Sequence, residues 1–260
     1  MLTRILLALA LCTGSSSRSS APESARFAIV PDAVLDRLGD FRVGLAVDIR
    51  ALDPDRLGAF VPDKFACARD LLKTARVGVI TFADDDVETH VTGLVETETV
   101  ACLEKLAPEL GFDVQRVDSA YRLGIPGKPL ALTWQADDAV VVQAGHPRRT
   151  GSPPAVIQGL LARIPRSAKA WLVSSGFPEY KISSVVGYLE TSVDALTITA
   201  TAESMEEGDA RSWIEGIVRG VKKSAAAKGM RVEDSWFVIE ATPPKAKLVA
   251  TIPAAVFAAR

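Results

Sequence analysis

The chain has 260 residues, of which 48% are hydrophobic, 6% are aromatic and 24% are charged, and its formal net charge is −2. A charged fraction near the globular average excludes a wholly disordered chain, and the near-neutral balance gives no basic surface for binding nucleic acid. Two histidines exclude a metal site built from several imidazoles. The length accommodates one large domain or two small ones.

The first twenty residues (MLTRILLALALCTGSSSRSS) have the pattern of an export signal. Arg4 supplies the positive charge, and an unbroken apolar run follows over residues 5–11. As a helix that run is about 10 Å long, which is a third of the hydrocarbon core of a bilayer. The sequence therefore predicts a secretory leader, with no membrane span formed by this run alone.

Cys12 directly follows the apolar run and precedes a serine-rich stretch. Residues 9–12 (LALC) resemble a bacterial lipobox, Leu-x-small-Cys, except that Leu11 stands where a small residue is usual. The resemblance implies a lipid on Cys12 that anchors the chain to a membrane, with residues 1–20 as leader and tether. The alternatives are a soluble secreted protein cleaved near Ala21 or Ala25, and a cytoplasmic chain with a frayed start.

The cysteine count agrees with export. If Cys12 carries lipid, Cys67 and Cys102 remain, and an even number of cysteines in an oxidising compartment favours a disulfide. Both residues fall in predicted helices of the same half of the chain. The alternative is a pair of small buried thiols on apolar helix faces.

Apolar residues at every second position predict strands, and apolar residues three or four apart predict helices. The first half is predicted to contain a strand over 41–49, a helix over 64–75, and a hairpin of strands 77–83 and 87–95. A helix capped by Thr97 and stopped by Gly111 follows. Three strands, over 114–121, 130–135 and 139–144, complete this half.

The second half begins after a segment rich in glycine and proline at 146–154. We predict a helix over 155–163, a strand over 168–174, a helix over 180–190 and a strand over 195–202. Ser204 and Glu207 then form a capping box for a long amphipathic helix that stops at Gly229. Strands 232–241 and 246–252 close the chain as a hairpin.

Helices and strands recur in a similar order in the two halves. The predicted fold class is therefore α+β, with two tandem units of mainly antiparallel sheet and helices on one face. Their bounds are 26–145 and 155–260, joined by the linker 146–154. A ferredoxin-like arrangement is a candidate for each unit.

The pattern resembles uncharacterised, often lipid-anchored envelope proteins of myxobacteria and their relatives. The matching segments are Val47-Asp48-Ile49, Ala170-Trp171-Leu172, and the late hairpin from Ile239 to Pro253. The resemblance spans most of the chain and rests on patterning. It implies tandem α+β units at the cell envelope and brings no catalytic residues with it.

One acidic cluster is a candidate cation site: Asp84, Asp85, Asp86, Glu88 and His90. Closely spaced carboxylates can hold a hard cation, and an imidazole can join them around a transition metal. The predicted hairpin, however, places Glu88 and His90 on a strand face and the three aspartates in a turn. The competing and favoured interpretation is a solvated hairpin tip.

The sequence contains no G-x-S-x-G, P-loop, H-E-x-x-H or C-x-x-C motif. The four tryptophans lie on predicted strands or apolar helix faces, which favours core anchoring over ligand stacking. No cofactor is predicted.

The predicted function is a non-catalytic binding or scaffolding role in the bacterial cell envelope, with an unknown envelope protein or ligand as partner. The alternatives are an envelope hydrolase with an unrecognised carboxylate site and a carrier of lipid or another apolar ligand, which would need an apolar cavity.

Overall fold

The structure is a computed structural model that describes residues 27, 29–51, 63–84, 86–124, 130–134, 139–144, 150–206, 208–227, 231–254 and 256. The leader with Cys12, residues 146–149 of the linker, Asp85, Glu207 and Gly229 lie outside the described residues.

Twelve strands of the described chain form one sheet in which every neighbouring pair is antiparallel. In chain order they are β1 Val43–Asp48, β2 Val77–Ala83, β3 Asp86–Thr92, β4 Val114–Val117, β5 Ala120–Leu123, β6 Leu130–Trp134, β7 Ala139–Ala144, β8 Ala170–Ser174, β9 Ile182–Thr191, β10 Ala195–Ser204, β11 Phe237–Thr242 and β12 Lys245–Pro253. Their order across the sheet is β11-β12-β10-β9-β8-β1-β2-β3-β7-β6-β5-β4.

Five α-helices accompany this sheet in the described chain. They are α1 Asp32–Leu35, α2 Ala66–Thr74, α3 Glu96–Leu110, α4 Ala155–Leu161 and α5 Ala210–Ala226. Helix α3 ends as predicted, because Gly111 adopts the left-handed conformation (φ 70°) that glycine favours after a helix.

The two halves of the chain meet where β1 pairs with β8. Strands β1 to β7 lie on one side of this junction and β8 to β12 on the other. The predicted α+β class with antiparallel sheet is therefore confirmed. The first half begins with the chain order β1-α2-β2-β3-α3-β4, but β1 pairs directly and antiparallel with β2. The split β-α-β pairing of a ferredoxin-like unit is therefore not found.

Helices cover both faces of the sheet. Leu35 of α1 and Leu161 of α4 pack with Trp171 in a core that draws on both halves of the chain. On the opposite face, Ile214 of α5 packs over the β8–β12 side, and Leu103 of α3 packs over the β5–β7 side. Alternating side chains of the central strands supply both cores, because successive residues point to opposite faces.

Strand β9 corrects one prediction, since a helix was expected over 180–190. Val185 belongs to the core beneath α5, whereas Val186 belongs to the core on the other face. A strand buried on both faces does not alternate between apolar and polar residues. The apolar residues at 182, 185 and 189 therefore have a spacing that imitates a helix.

The two predicted helix caps are also wrong. Ser204 ends β10, and its hydroxyl donates to the carbonyl of Pro244 at 3.0 Å, while α5 begins after Asp209. Helix α3 begins at Glu96, one residue before the predicted cap Thr97. A serine or threonine near a helix start is a cap only where the chain turns, and here the sheet continues through Ser204.

A disulfide joins Cys67 of α2 to Cys102 of α3, with 5.5 Å between the Cα atoms. No residue of α2 is fully buried, whereas Cys102 is only 5% exposed. The bond therefore joins the weakly packed helix α2 to the buried face of α3. Closing a loop over a sequence separation of 35 restricts the unfolded chain and stabilises the fold by about 3–4 kcal/mol.

Candidate functional site

An apolar groove lies between helix α5 and the sheet. Its cavity volume is about 60 Å³, and the groove opens to solvent along one side. Strands β1, β8, β9, β10 and β12 supply the floor, and Trp213, Ile214 and Ile217 of α5 supply the wall. Trp171 and Tyr188 contribute main chain, because their side chains belong to the opposite core.

Residues that are paired across neighbouring strands form rows, and these rows make up the floor of the groove. In the central row the neighbours across the sheet are Leu248, Ala200, Gly187, Leu172 and Leu45. Paired residues of antiparallel strands point to the same face. The row therefore places leucines at its sides and the two smallest side chains between them, which forms a trough.

The trough continues obliquely across the sheet. Ala202 lies on β10 one row below Ala200, and Ala170 lies on β8 one row above Leu172, with Gly187 between them. A Cβ added at Gly187 would meet its nearest atom at 3.6 Å, so packing does not require glycine there. The missing side chain leaves space in the groove.

Helix α5 forms the wall because its apolar stripe faces the sheet. Ile214 is 1% exposed and packs against the floor, while Trp213 is half-buried at the flank and stacks on Phe177 with ring centroids 5.8 Å apart. The indole is a large rigid surface at the side of the groove.

Charged residues of α5 point away from the groove. Arg211 pairs with Glu215 at 2.9 Å on the exposed side, and Lys222 pairs with Asp234 and lies over the ring of Phe237 beside β11. Among the described residues that line the groove, no side chain carries a charge. The site can hold hydrocarbon and offers no partner to an ion.

Asp209 fixes the start of the wall. Its carboxylate accepts hydrogen bonds from the Ser212 backbone N–H at 3.0 Å and from the Ser212 hydroxyl at 2.6 Å. These hydrogen bonds favour the ionised form and hold the pKa of Asp209 below its usual value of 3.8. The carboxylate thereby satisfies a free N–H at the helix terminus.

The predicted acidic cluster is divided by the structure. Asp84 lies exposed in the turn with φ 49°, and Asp86 is half-buried. Glu88 and His90 are buried on the sheet face opposite the groove, at 4% and 1% exposure. Within the part of the chain that the structure describes, no three His, Cys, Asp or Glu residues come together as a metal site.

Glu88 and His90 form a buried polar ladder with Gln143. His90 Nε2 lies 2.5 Å from Glu88 Oε1, and Gln143 Nε2 donates to Glu88 Oε2 at 2.8 Å. The register aligns Glu88 with Gln143 and with Thr81. Hydrogen bonding to both carboxylate oxygens offsets part of the cost of burying this group, and the ladder therefore has a structural role in the sheet.

The groove was missed by sequence reasoning. Trp213 was interpreted as a core anchor; it packs against the core beneath α5 and also lines the groove. Gly187 was placed in a helix, which concealed its position between Ala200 and Leu172. The signal that could have found the site is the run of small residues in strand β10 (ALTITATA) opposite a glycine.

Across the described ranges, no helix combines the length and the apolarity that crossing a bilayer would require.

Comparison with known proteins gives a fold and no family. No protein-family model matches the chain, and no curated protein matches it. Among solved structures, crystal form III of TP0453 is similar with a TM-score of 0.54 and 11% identity, covering 85% of this chain and 96% of that one. Crystal form IV gives a TM-score of 0.51 at 10% identity, covering 86% and 95%. At such identities the likeness shows the fold alone.

Replacing Asp209 with alanine should lower the thermal midpoint at neutral pH, because α5 loses its side-chain cap. The folded pKa is lowered, so this contribution is present above the unfolded pKa and is lost as the pH falls through the folded pKa. Circular dichroism melts should therefore separate wild type from Asp209→Ala at neutral pH and superimpose them at about pH 2.

The control for this prediction is Asp209→Asn, which keeps a cap acceptor without a titrating group. It should lie closer to wild type at neutral pH. A deficit of Asp209→Ala that persists unchanged at about pH 2 would contradict the role given to this carboxylate.

Proposed function

We propose that this chain is an exported, lipid-anchored protein of the bacterial cell envelope that binds an apolar ligand without chemical conversion. The observation that carries the proposal is the groove beside α5, whose described lining side chains are apolar. Concave sites lined mainly by apolar side chains are where apolar small molecules bind in proteins.

The groove favours ligand binding over a purely scaffolding role. The small residues Gly187 and Ala200 leave space between the sheet and α5. Larger side chains would fill that space in a closed core. Unfilled apolar volume lowers the free energy of unfolding. A ligand that buries methylene groups there would gain about 0.8 kcal/mol for each one, before the entropy lost on association is subtracted.

The hydrolase alternative would draw on Asp84 to Glu88 or on Asp137 and Asp138, of which Asp85, Asp137 and Asp138 lie outside the described residues. The described carboxylates Asp84 and Glu88 give it no support. Asp84 stands in an exposed turn, and Glu88 is engaged by His90 and Gln143 on the buried face of the sheet. A general base needs to reach the proton that it abstracts. Binding is therefore the better account of this fold.

Lipidation is proposed from the leader, and export is proposed from the leader together with the disulfide. The apolar run, Cys12 and the serine-rich stretch after it have the order of a lipoprotein signal. The disulfide between Cys67 and Cys102 agrees with an oxidising compartment. Together these features support an envelope location, with the lipid on Cys12 as the membrane contact.

Mass spectrometry of the mature N-terminus tests the anchor. For the chain expressed in a bacterium that processes lipoproteins, we expect a first residue Cys12 that carries acyl groups, and a protein that fractionates with membranes. The Cys12→Ala variant should lose both properties. An intact Met1, or an unacylated N-terminus near Ala21, would contradict the proposed anchor.

Filling the groove tests the binding function. The Ala200→Phe variant should lose at least tenfold in affinity for the apolar dye 1-anilinonaphthalene-8-sulfonate, because the ring would occupy the centre of the trough. Dye fluorescence titration of the full chain measures this loss. The matched control is Val238→Phe, which places the same ring on edge strand β11 at a residue that is 53% exposed.

The Val238→Phe control should bind the dye as wild type does. Circular dichroism establishes that both variants are folded. An Ala200→Phe protein that is folded and binds the dye as tightly as wild type would contradict the proposed site.

A further inference from the structure

We infer that the ligand of this groove is one unbranched hydrocarbon chain, lying obliquely across β8, β9 and β10 with its polar end in solvent. The inference rests on the proposed binding function and specifies its ligand class. Fatty acids and single-chain phospholipids share this chemistry.

The length of the trough fits an extended alkyl chain. From Ala202 on β10 to Ala170 on β8 the floor advances four residues along the strands and two strands across the sheet. With about 3.3 Å per residue and about 4.8 Å between strands, this path is about 16 Å long. About twelve carbon–carbon bonds of about 1.5 Å in zigzag span that distance.

The width of the trough fits one chain. In the central row Ala200 and Gly187 are flanked by Leu248 on one side and Leu172 on the other. The depression is therefore two strands wide, about 10 Å between strand centres, and Ile217 of α5 overhangs part of it. A lipid with two chains side by side would collide with these leucines.

The chemistry of the lining selects a plain hydrocarbon. No described lining side chain offers a charge, and the charged residues of α5 are paired away from the groove, as Arg211 is with Glu215. Burying a hydroxyl or a carboxylate without a partner is unfavourable. The polar end of the ligand therefore stays at the mouth, and affinity depends on the chain more than on the headgroup.

Gly187 determines how deep the chain lies. A Cβ at this position would lie 3.6 Å from the Thr199 carbonyl, 3.8 Å from Ala200 Cβ and 3.9 Å from Leu172 Cβ, all ordinary contacts. An alanine is therefore accommodated without strain, and its methyl group would occupy space at the centre of the trough. This makes Gly187→Ala a mild variant that alters the site and preserves the fold.

Isothermal titration calorimetry of the full chain with saturated fatty acids of increasing length tests the inference. From octanoate to decanoate to dodecanoate the affinity should rise by about fourfold per added methylene. From dodecanoate to hexadecanoate it should level off, because the added carbons extend beyond the trough. The lysophosphatidylcholine with a dodecanoyl chain should bind comparably to dodecanoate.

The variant arm uses Gly187→Ala with Gly159→Ala as its matched control. Gly187→Ala should weaken dodecanoate binding by about fourfold, the contribution of one methylene contact. Gly159 lies on α4, where an added Cβ meets nothing within 4 Å, so Gly159→Ala should bind as wild type does. Equal affinity in both variants would contradict the role of Gly187.

Three results would overturn the inference and leave the proposed function standing. The first is an affinity for 1-anilinonaphthalene-8-sulfonate or a branched acid that equals that for dodecanoate. The second is an affinity that does not depend on chain length. The third is binding that begins only after residues 257–260 are deleted, or only when a dimer dissociates, because then the C-terminal segment or a second copy is the occupant. Binding of no apolar probe to any form of the chain would instead remove the proposed function itself.

Discussion

The antiparallel pairing of β1 with β8 is the contact on which the rest of the molecule depends. It runs from Val43 opposite Ser174 to Val47 opposite Ala170, and it converts two sets of hairpins into one sheet of twelve strands. On one face it sets Ala46 beside Trp171 in the core under α1 and α4. On the other face it sets Leu45 beside Leu172 at the rim of the groove.

The groove exists because α5 covers only part of the face that the sheet offers. Ile214 and Val218 pack against the floor, whereas Trp213 and Ile217 are only half-buried and line the groove. Larger residues at Gly187 and Ala200 would close the gap and extend the core. The small residues there leave space unfilled, so the fold is less stable than it would be with a closed core. Such a loss of stability is common at binding sites.

The sequence indicated strands β1, β2, β3, β6 and β7 of the first half, but the segment predicted as one strand over 114–121 is a hairpin of β4 and β5. Strand β9 was mistaken for a helix, because Val185 and Val186 are buried on opposite faces. The groove depends on that strand and on a register that pairs Gly187 with both Ala200 and Leu172. Once residues 180–190 were assigned to a helix, the pairing of Gly187 with Ala200 could not be derived, and the site was missed. The acidic cluster is divided because Glu88 and His90 lie side by side on one buried strand face, whereas Asp84 lies in the exposed turn.

A hydrocarbon chain bound in the groove would lie against Trp213, because this side chain supplies part of the wall. Quenching of tryptophan fluorescence by a fatty acid that carries bromine on its chain tests this directly, since heavy-atom quenching requires near contact. The account predicts that the brominated acid quenches the wild-type protein, that Trp213→Phe removes most of the quenching, and that Trp236→Phe retains it, because Trp236 lies outside the groove. Quenching that survives unchanged in a folded Trp213→Phe variant would contradict the account.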